Sequence, residues 1–141
     1  AEFIHSRDQA EYMAFPRAAA IAEIGWSQPQ NKNWENFKQR METQYKRYEL
    51  AGINYSKSAY DVWIESSIDS TAGKATVKLK TNSVGHDIRY TIDGTEPTIK
   101  SAKYVNLFTF SLPATVKTAS FRNGEKISRV SARSVFISKV D

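Results

Sequence analysis

The periodicity of apolar residues changes near Tyr55, and this change constrains the fold more than any other feature of the chain. Before Tyr55 apolar residues recur every three or four positions, a pattern typical of amphipathic helices. After Tyr55 they alternate with polar residues, a pattern typical of strands with one buried face. The sequence therefore predicts an α+β chain in which helices precede an all-β part.

The first half is predicted to contain two helices. Pro16 suits a first helical position, and residues 17–24 are strong helix formers, apolar nearly all round, so we expect this helix to be mostly buried. For the second helix, Asn33 is a good N-cap and Gly52 suits the left-handed position beyond the last turn. Its apolar stripe consists of Trp34, Phe37, Met41, Tyr45 and Tyr48. Two such short helices need a partner surface.

The second half is predicted to be an immunoglobulin-like or fibronectin-type β-sandwich. Asp93-Gly94 and Asn123-Gly124 are among the turn signals that separate its short strands. The expected strands are 75–80, 88–92, 107–112, 116–121 and 130–137. The domains that we predict are a helical part at 1–54, a linker or first strand at 55–66, and the sandwich at 67–141.

Composition excludes several classes of site. The chain has no cysteine, so disulfides and thiolate metal sites are excluded. His5 and His86 stand alone in different halves, and we expect no metal and no cofactor. No apolar run reaches the roughly 18 residues of a membrane helix. The N-terminus has neither the features of a secretion signal nor a cap or turn residue, and this favours a cut from a longer protein.

The charge is concentrated in the second half. The net charge is +5, and residues 55–141 hold thirteen basic and eight acidic residues. Such an excess can indicate a nucleic-acid or acidic partner. The lysines are scattered along alternating stretches, as on solvated strand faces. Because there is no recognition-helix or stacking motif, we expect no nucleic-acid partner and keep it only as a remote alternative.

Segments in both halves resemble one family of enzymes. Residues 2–4 (EFI), 11–17 (EYMAFPR), 20–26 (AIAEIGW) and 50–55 (LAGINY) resemble the end of the catalytic domain in family 20 glycoside hydrolases, the β-N-acetylhexosaminidases. Residues 88–98 (IRYTIDGTEPT), Tyr104 and residues 116–124 are similar to the chitobiase-type C-terminal β domain. The two resemblances occur in the order that such hexosaminidases use.

The resemblance implies a function for a longer protein. It implies that residues 1–54 are the last part of a (β/α)8 barrel that hydrolyses terminal N-acetylhexosamines from glycans, with the substrate's acetamido group as nucleophile. The family's catalytic Asp-Glu pair lies upstream and nothing here matches it, so the chain alone is expected to be inactive. Glu2 matches the family glutamate that binds sugar hydroxyls. The implied partners are the rest of the barrel and the glycan, in a periplasmic or extracellular location.

For several residues and for the β part, the sequence allows more than one interpretation. The aromatic residues of the second half are interpreted as sandwich core in preference to a sugar-stacking platform, whereas Trp63 is the better candidate for an exposed, sugar-stacking aromatic. Glu23 is expected to form a structural ion pair. The β part is expected to be a structural accessory domain, with a carbohydrate-binding module as the alternative. Residues 16–50 are expected to expose apolar surface and to promote self-association.

Overall fold

A computed structural model of the chain describes residues 3–137. The chain forms two compact units, a helical unit of residues 1–57 and a β unit of residues 58–141. Glu2 lies outside the described residues. In the part of the chain that the structure describes, no helix is both long and apolar enough to cross a membrane.

The described part of the helical unit, residues 3–57, contains three α-helices, one more than the sequence pattern predicts. The additional helix, α1, begins after Ser6, whose hydroxyl accepts the backbone N–H of Gln9 at 3.1 Å as an N-cap. A 3-10 turn follows the second helix, and another, Lys57–Tyr60, leads into the first strand. The helices are α1 (Arg7–Ala14), α2 (Arg17–Trp26) and α3 (Trp34–Leu50).

Both predicted ends of α3 are confirmed. The side chain of Asn33 accepts the backbone N–H three residues later at 2.9 Å. At the other end Gly52 has a φ of 65°, a conformation that glycine adopts without a Cβ clash. Its N–H bonds to the Glu49 carbonyl at 3.2 Å, and the N–H of Ile53 bonds to the Tyr48 carbonyl at 2.9 Å. This pair of bonds is a Schellman motif, which ends the helix.

The predicted stripe of α3 is buried only along its C-terminal half. Met41, Tyr45 and Tyr48 are buried. The ring of Tyr48 lies 5.0 Å from that of Phe15, and Tyr45 stacks on Tyr55 with centroids 5.1 Å apart. These aromatic contacts tie α3 to the segments before α2 and after α3, and they form the core of the helical unit.

The expectation that α2 is mostly buried is wrong for this chain. None of its residues is buried, and Ile21 and Ile24 are 70% and 65% exposed. An apolar helix is buried only where a second surface covers it, and the described residues supply none for this face. The exposed surface expected for residues 16–50 is thus present.

Glu11 joins α1 to the segment after α3. One of its carboxylate oxygens accepts the backbone N–H of Asn54 at 2.9 Å, and the other accepts Nε of Arg7 at 2.6 Å. The amide of Asn54 in turn donates to the Asp8 carbonyl at 3.1 Å. The N–H of Asn54, and next Arg7, hold the pKa of Glu11 below its ordinary value of 4.5.

We predict that protonation of Glu11 loosens α1. Because the folded-state pKa is lowered, the carboxylate contributes stability that is complete above about pH 4.5 and is lost as the pH falls through the folded-state pKa. Glu11→Gln is expected to weaken α1 at neutral pH and to remove this acid dependence. The NMR intensities of α1 amides, followed between about pH 3 and 7, measure both effects. Glu35→Gln, at an exposed position on α3, is the control; an equal response in the two variants would contradict the prediction.

Between residues 58 and 137 the β unit contains two antiparallel sheets. The first has the order β1-β2-β5. In the second, β3 lies between β4 and β6, and both β7 and β8 pair with β6. The strands are β1 (Trp63–Asp69), β2 (Lys74–Lys80), β3 (Asp87–Thr91), β4 (Ala102–Lys103), β5 (Phe108–Ser111), β6 (Ala114–Arg122), β7 (Glu125–Lys126) and β8 (Ser131–Val135). The five expected strands are therefore present, and the all-β character of the second half is confirmed.

Residues from both sheets form one apolar core. The buried members are Val62, Ala75, Val77, Leu79, Phe110, Val116 and Val135. The strand register explains why these residues are buried. Ala75 and Val77 of β2 face the same side of the sheet as their partners Phe110 and Phe108 of β5. The alternation read from the sequence is thus the alternation between core and solvent.

The segment before β1 closes one end of the β unit. Tyr60 is 1% exposed, and its ring lies 5.0 Å below the guanidinium carbon of Arg122. Its carbonyl accepts the hydroxyl of Ser120 at 2.6 Å. The next residue, Asp61, accepts the backbone N–H of Arg129 at 3.2 Å and its Nε at 3.0 Å. These contacts belong to the β unit and fix the entry to β1.

Candidate functional site

The described residues contain no arrangement that resembles a hydrolytic or metal centre. Among residues 3–137, no group of three or more histidine, aspartate or glutamate side chains is placed to hold a metal ion. Glu23 pairs with Arg40 of α3, as its position on an apolar helix predicts. Asp87 pairs with Lys103 at 2.7 Å and with Arg89 at 3.0 Å. These cations, Lys103 above all, hold the pKa of Asp87 below its ordinary value, so the carboxylate has a structural ion-pair role.

The Asp-Gly motif of residues 93–94 builds a turn. The Asp93 carboxylate accepts the backbone N–H of Thr95 at 3.0 Å and its hydroxyl at 2.6 Å, and these bonds lower the pKa of Asp93. Gly94 has a φ of 79° and donates its N–H to the Thr115 carbonyl at 2.9 Å. The Asp93 carboxylate and the Gly94 N–H are both hydrogen-bonded within the β unit. The motif therefore shapes the turn and presents no catalytic group.

Gly94→Ala is expected to destabilise the β unit by about 1–2 kcal/mol. A side chain at positive φ carries a steric penalty of that size, and the added Cβ would lie 3.4 Å from Cβ of Thr115. Gly73→Ala is the matched control for the cost of a side chain at positive φ. The φ of Gly73 is a similar 62°, but nothing lies within 4 Å of a Cβ added there. Urea unfolding of the two variants separates the two contributions, and an unchanged midpoint for Gly94→Ala would contradict the prediction.

The alternating aromatic residues of the β unit pack on one another. Tyr90 stacks on Phe108 with centroids 4.0 Å apart, and Tyr104 meets the same ring edge-on at 6.2 Å. Phe110 lies 5.9 Å from Phe108 and is buried. These rings belong to or line the core. The arrangement favours the core interpretation over a sugar-stacking platform.

One face of the first sheet points away from the core and is polar. Its residues are Trp63, Glu65, Ser67 and Asp69 of β1, Lys74, Thr76, Lys78 and Lys80 of β2, and Thr109 and Ser111 of β5. We call this surface the polar face. Trp63 is its aromatic member and is 48% exposed. The candidate sugar-stacking residue therefore lies at one corner of a surface rich in hydroxyl and ammonium groups.

Register organises the polar face. Trp63 is the cross-strand partner of Lys80, and Lys80 extends diagonally to Glu65 at 2.6 Å. The hydroxyls of Thr76 and Thr109 lie 3.1 Å apart. The residues around Trp63 were not singled out from the sequence as site residues. The available signal was the alternation of lysine and threonine with apolar residues in β2.

The helical unit has a different candidate surface. Between α2 and α3 lies an open groove of about 740 Å³. Its floor is mostly apolar, with Ala18, Ala22, Phe37 and Met41 among its residues, and Trp26, 90% exposed, stands at one end. Polar residues, among them the paired Glu23 and Arg40, also line the groove, and its exposed apolar part is suited to packing against protein.

Two family models match the chain. Residues 1–29 match "Glycosyl hydrolase family 20, catalytic domain", and residues 69–132 match "Chitobiase/beta-hexosaminidase C-terminal domain". The chain therefore resembles the end of a family 20 catalytic domain followed by the C-terminal domain of hexosaminidases. The matches lie in the helical unit and in the β unit, as the resemblance predicts.

The curated relatives with significant similarity include beta-hexosaminidases. A beta-hexosaminidase of Porphyromonas gingivalis is 31% identical over 131 residues, which cover 92% of this chain and 17% of that protein. A beta-hexosaminidase of Akkermansia muciniphila is 43% identical over 44 residues, 31% of this chain and 9% of that protein. The chain thus spans less than a fifth of the length of the beta-hexosaminidases that it matches.

Proposed function

We propose that the chain is the C-terminal accessory part of a β-N-acetylhexosaminidase that removes terminal N-acetylhexosamines from glycans. The observation that carries this proposal is the order of the two family matches within one chain, catalytic end first and C-terminal domain second. In this proposal residues 1–54, which make up most of the helical unit, complete the catalytic barrel of a longer protein. The glycan and the remainder of the barrel are then its partners, and its location is periplasmic or extracellular.

The β unit is proposed to be an immunoglobulin-like or fibronectin-type sandwich with a structural role. Two antiparallel sheets that share one core support the sandwich. Residues 67–141 form most of it, and residues 55–66 contain a 3-10 turn and the beginning of its first strand, β1. The engaged side chains of Asp87 and Asp93 support a structural role, because groups bound within a unit are not available for chemistry.

The exposed face of α2 supports a barrel partner. Ile21, Ile24 and Trp26 are mostly exposed, and a helix with such a face is ordinarily covered by a larger body. The outer helices of a (β/α)8 barrel pack on the strands within it. Glu2 is proposed to bind sugar hydroxyls in the longer protein by a charge-assisted hydrogen bond.

Hydrolysis of a chromogenic N-acetylglucosaminide tests the activity. The chain alone is expected to be inactive, while the longer protein is expected to hydrolyse the substrate. In the longer protein Glu2→Gln is expected to raise KM and lower kcat/KM by about tenfold or more, the loss of roughly one charge-assisted hydrogen bond. Glu35→Gln serves as the control. Turnover by the chain alone, or an inactive longer protein, would overturn the proposal.

Carbohydrate binding by the β unit is a second candidate function. It is favoured by one observation, the half-exposed Trp63 on a flat surface with threonine and serine hydroxyls. Tryptophan presents a large apolar ring that a pyranose can cover, and neighbouring hydroxyls can bond to its rim.

A further inference from the structure

We infer that the polar face binds a sulfated glycan chain. This inference rests on the second candidate function and adds the chemical class of the ligand. It joins two observations, the exposed ring of Trp63 and a row of ammonium groups on the adjacent strand. Trp63 stacks on one sugar ring, and the lysines of β2 bind sulfate groups farther along the chain.

The lysine row has the geometry of an extended ligand. Lys74, Lys78 and Lys80 lie on one side of β2, because side chains of one parity share a face. At about 3.4 Å per residue, Lys78 and Lys80 stand roughly 7 Å apart and the row spans about 20 Å. A flat strand with charges along its length is suited to a linear polymer.

The acidic side chains of the polar face are held by ion pairs or hydrogen bonds, whereas two of its lysines are not paired within residues 3–137. Glu65 is engaged by Lys80. The carboxylate of Asp69 turns into the following loop, where it accepts the backbone N–H groups of Thr71 and Ala72 at 3.1 and 3.0 Å. Within residues 3–137, Lys74 and Lys78 have no ion-pair partner. The face therefore presents cations that an external anion can neutralise.

A further cation lies at the edge of β1. Nη1 of Arg133, in β8, donates to the carbonyl of Ile64 at 3.1 Å, and Ile64 directly follows Trp63 in β1. The side chain is exposed. The edge of the strand that carries the stacking residue is thus also positive.

The number of charges favours a sulfated chain over one that carries carboxylate alone. Lysine acts as a compact point charge, and sulfation places additional anions along a glycan for such charges to neutralise. The row on β2 is made of lysine alone. Nucleic acid is less well matched, because single-stranded binding surfaces stack successive bases on several aromatics and the polar face offers Trp63 only.

Isothermal titration of the 141-residue chain with chondroitin sulfate oligosaccharides tests the inference. We expect saturable binding that weakens as salt rises from about 50 to 200 mM. Trp63→Ala and the pair Lys74→Ser with Lys78→Ser should each weaken binding by about tenfold. The pair Lys100→Ser with Lys126→Ser removes the same charge away from the polar face and should change binding less than about twofold. Far-UV circular dichroism confirms that each variant is folded.

Three parallel ligands identify what is bound. Hyaluronan carries carboxylate without sulfate, and chitohexaose is neutral. A single-stranded DNA of equal charge lacks sugar rings suited to Trp63. Each of the three is expected to bind at least about tenfold more weakly than chondroitin sulfate. Equal binding of chitohexaose through Trp63 would overturn the inference but leave the second candidate function intact. No binding of any glycan would overturn both. Equal binding of DNA, or equal loss in the two lysine pairs, would show unspecific charge attraction and overturn the inference.

Discussion

Tyr60→Ala is expected to destabilise the β unit by about 3–5 kcal/mol, the usual loss for truncation of a buried aromatic side chain to alanine. The ring of Tyr60 is 1% exposed and closes the end of the unit before β1. It also lies beneath the guanidinium of Arg122 and meets His86 edge-on at 5.6 Å. Removal of the ring leaves a cavity and eliminates the cation–π contact with Arg122.

Tyr60→Phe is the matched control. It keeps the ring and removes only the hydroxyl, which accepts Nη1 of Arg122 at a long 3.4 Å. Removal of a hydrogen-bonding hydroxyl ordinarily costs about 0.5–1.5 kcal/mol, so the loss is expected to stay well below that of Tyr60→Ala. Urea unfolding, followed by hydrogen exchange at the amides of Val77 and Val116, reports on the β unit separately. Equal losses in the two variants would show that the hydroxyl is the important group.

Local signals predicted the ends of helices and tight turns well. The Asn33 cap and the Gly52 terminus depend on residues within one turn of helix, so a short window of sequence contains the necessary information. The same holds for Asn123-Gly124, which have φ values of 51° and 86° and join the partners Arg122 and Glu125 in a two-residue hairpin. Both positive angles are those that a type I′ turn requires.

Features that depend on distant residues were not predictable. Helix α1 is tied down by Glu11 and Asn54, which are 43 positions apart. Tyr60 lies in segment 55–66, which the sequence predicts to be a linker or first strand; it belongs to a 3-10 turn, and the strand begins at Trp63. Its partners at the end of the unit, Ser120 among them, are about sixty residues away in sequence. Spacing alone contains no information on such pairs.

The candidate site was predictable in part for the same reason. Exposure of Trp63 follows from its place in the alternation. The lysines of β2 looked like an ordinary solvated face, because their position opposite Trp63 depends on the antiparallel register of β1 and β2. Once Trp63 and Lys80 are cross-strand partners, the ring and the charge row share one surface. Register, a long-range property, therefore decides whether scattered residues form a site.

Ile21→Glu combined with Ile24→Lys is expected to abolish self-association of the chain. Both side chains are mostly exposed on α2, beside an apolar groove. Burial of an isoleucine contributes about 1.5–3 kcal/mol, so the loss of two should raise the dissociation constant by more than about a hundredfold. Sedimentation equilibrium over about 1 to 200 µM measures the dissociation constant of the wild-type chain and of the double variant.

A matched control separates the apolar face from charge in general. Asn36→Lys with Gln39→Glu places the same pair of charges at exposed positions of α3 and is expected to leave association unchanged. If the wild-type chain is a monomer at every concentration, the exposed face of α2 does not act as an orphaned packing surface. If it associates through Ile21 and Ile24, these residues are the contacts that a barrel partner would replace, since an apolar face is covered by whichever surface is present.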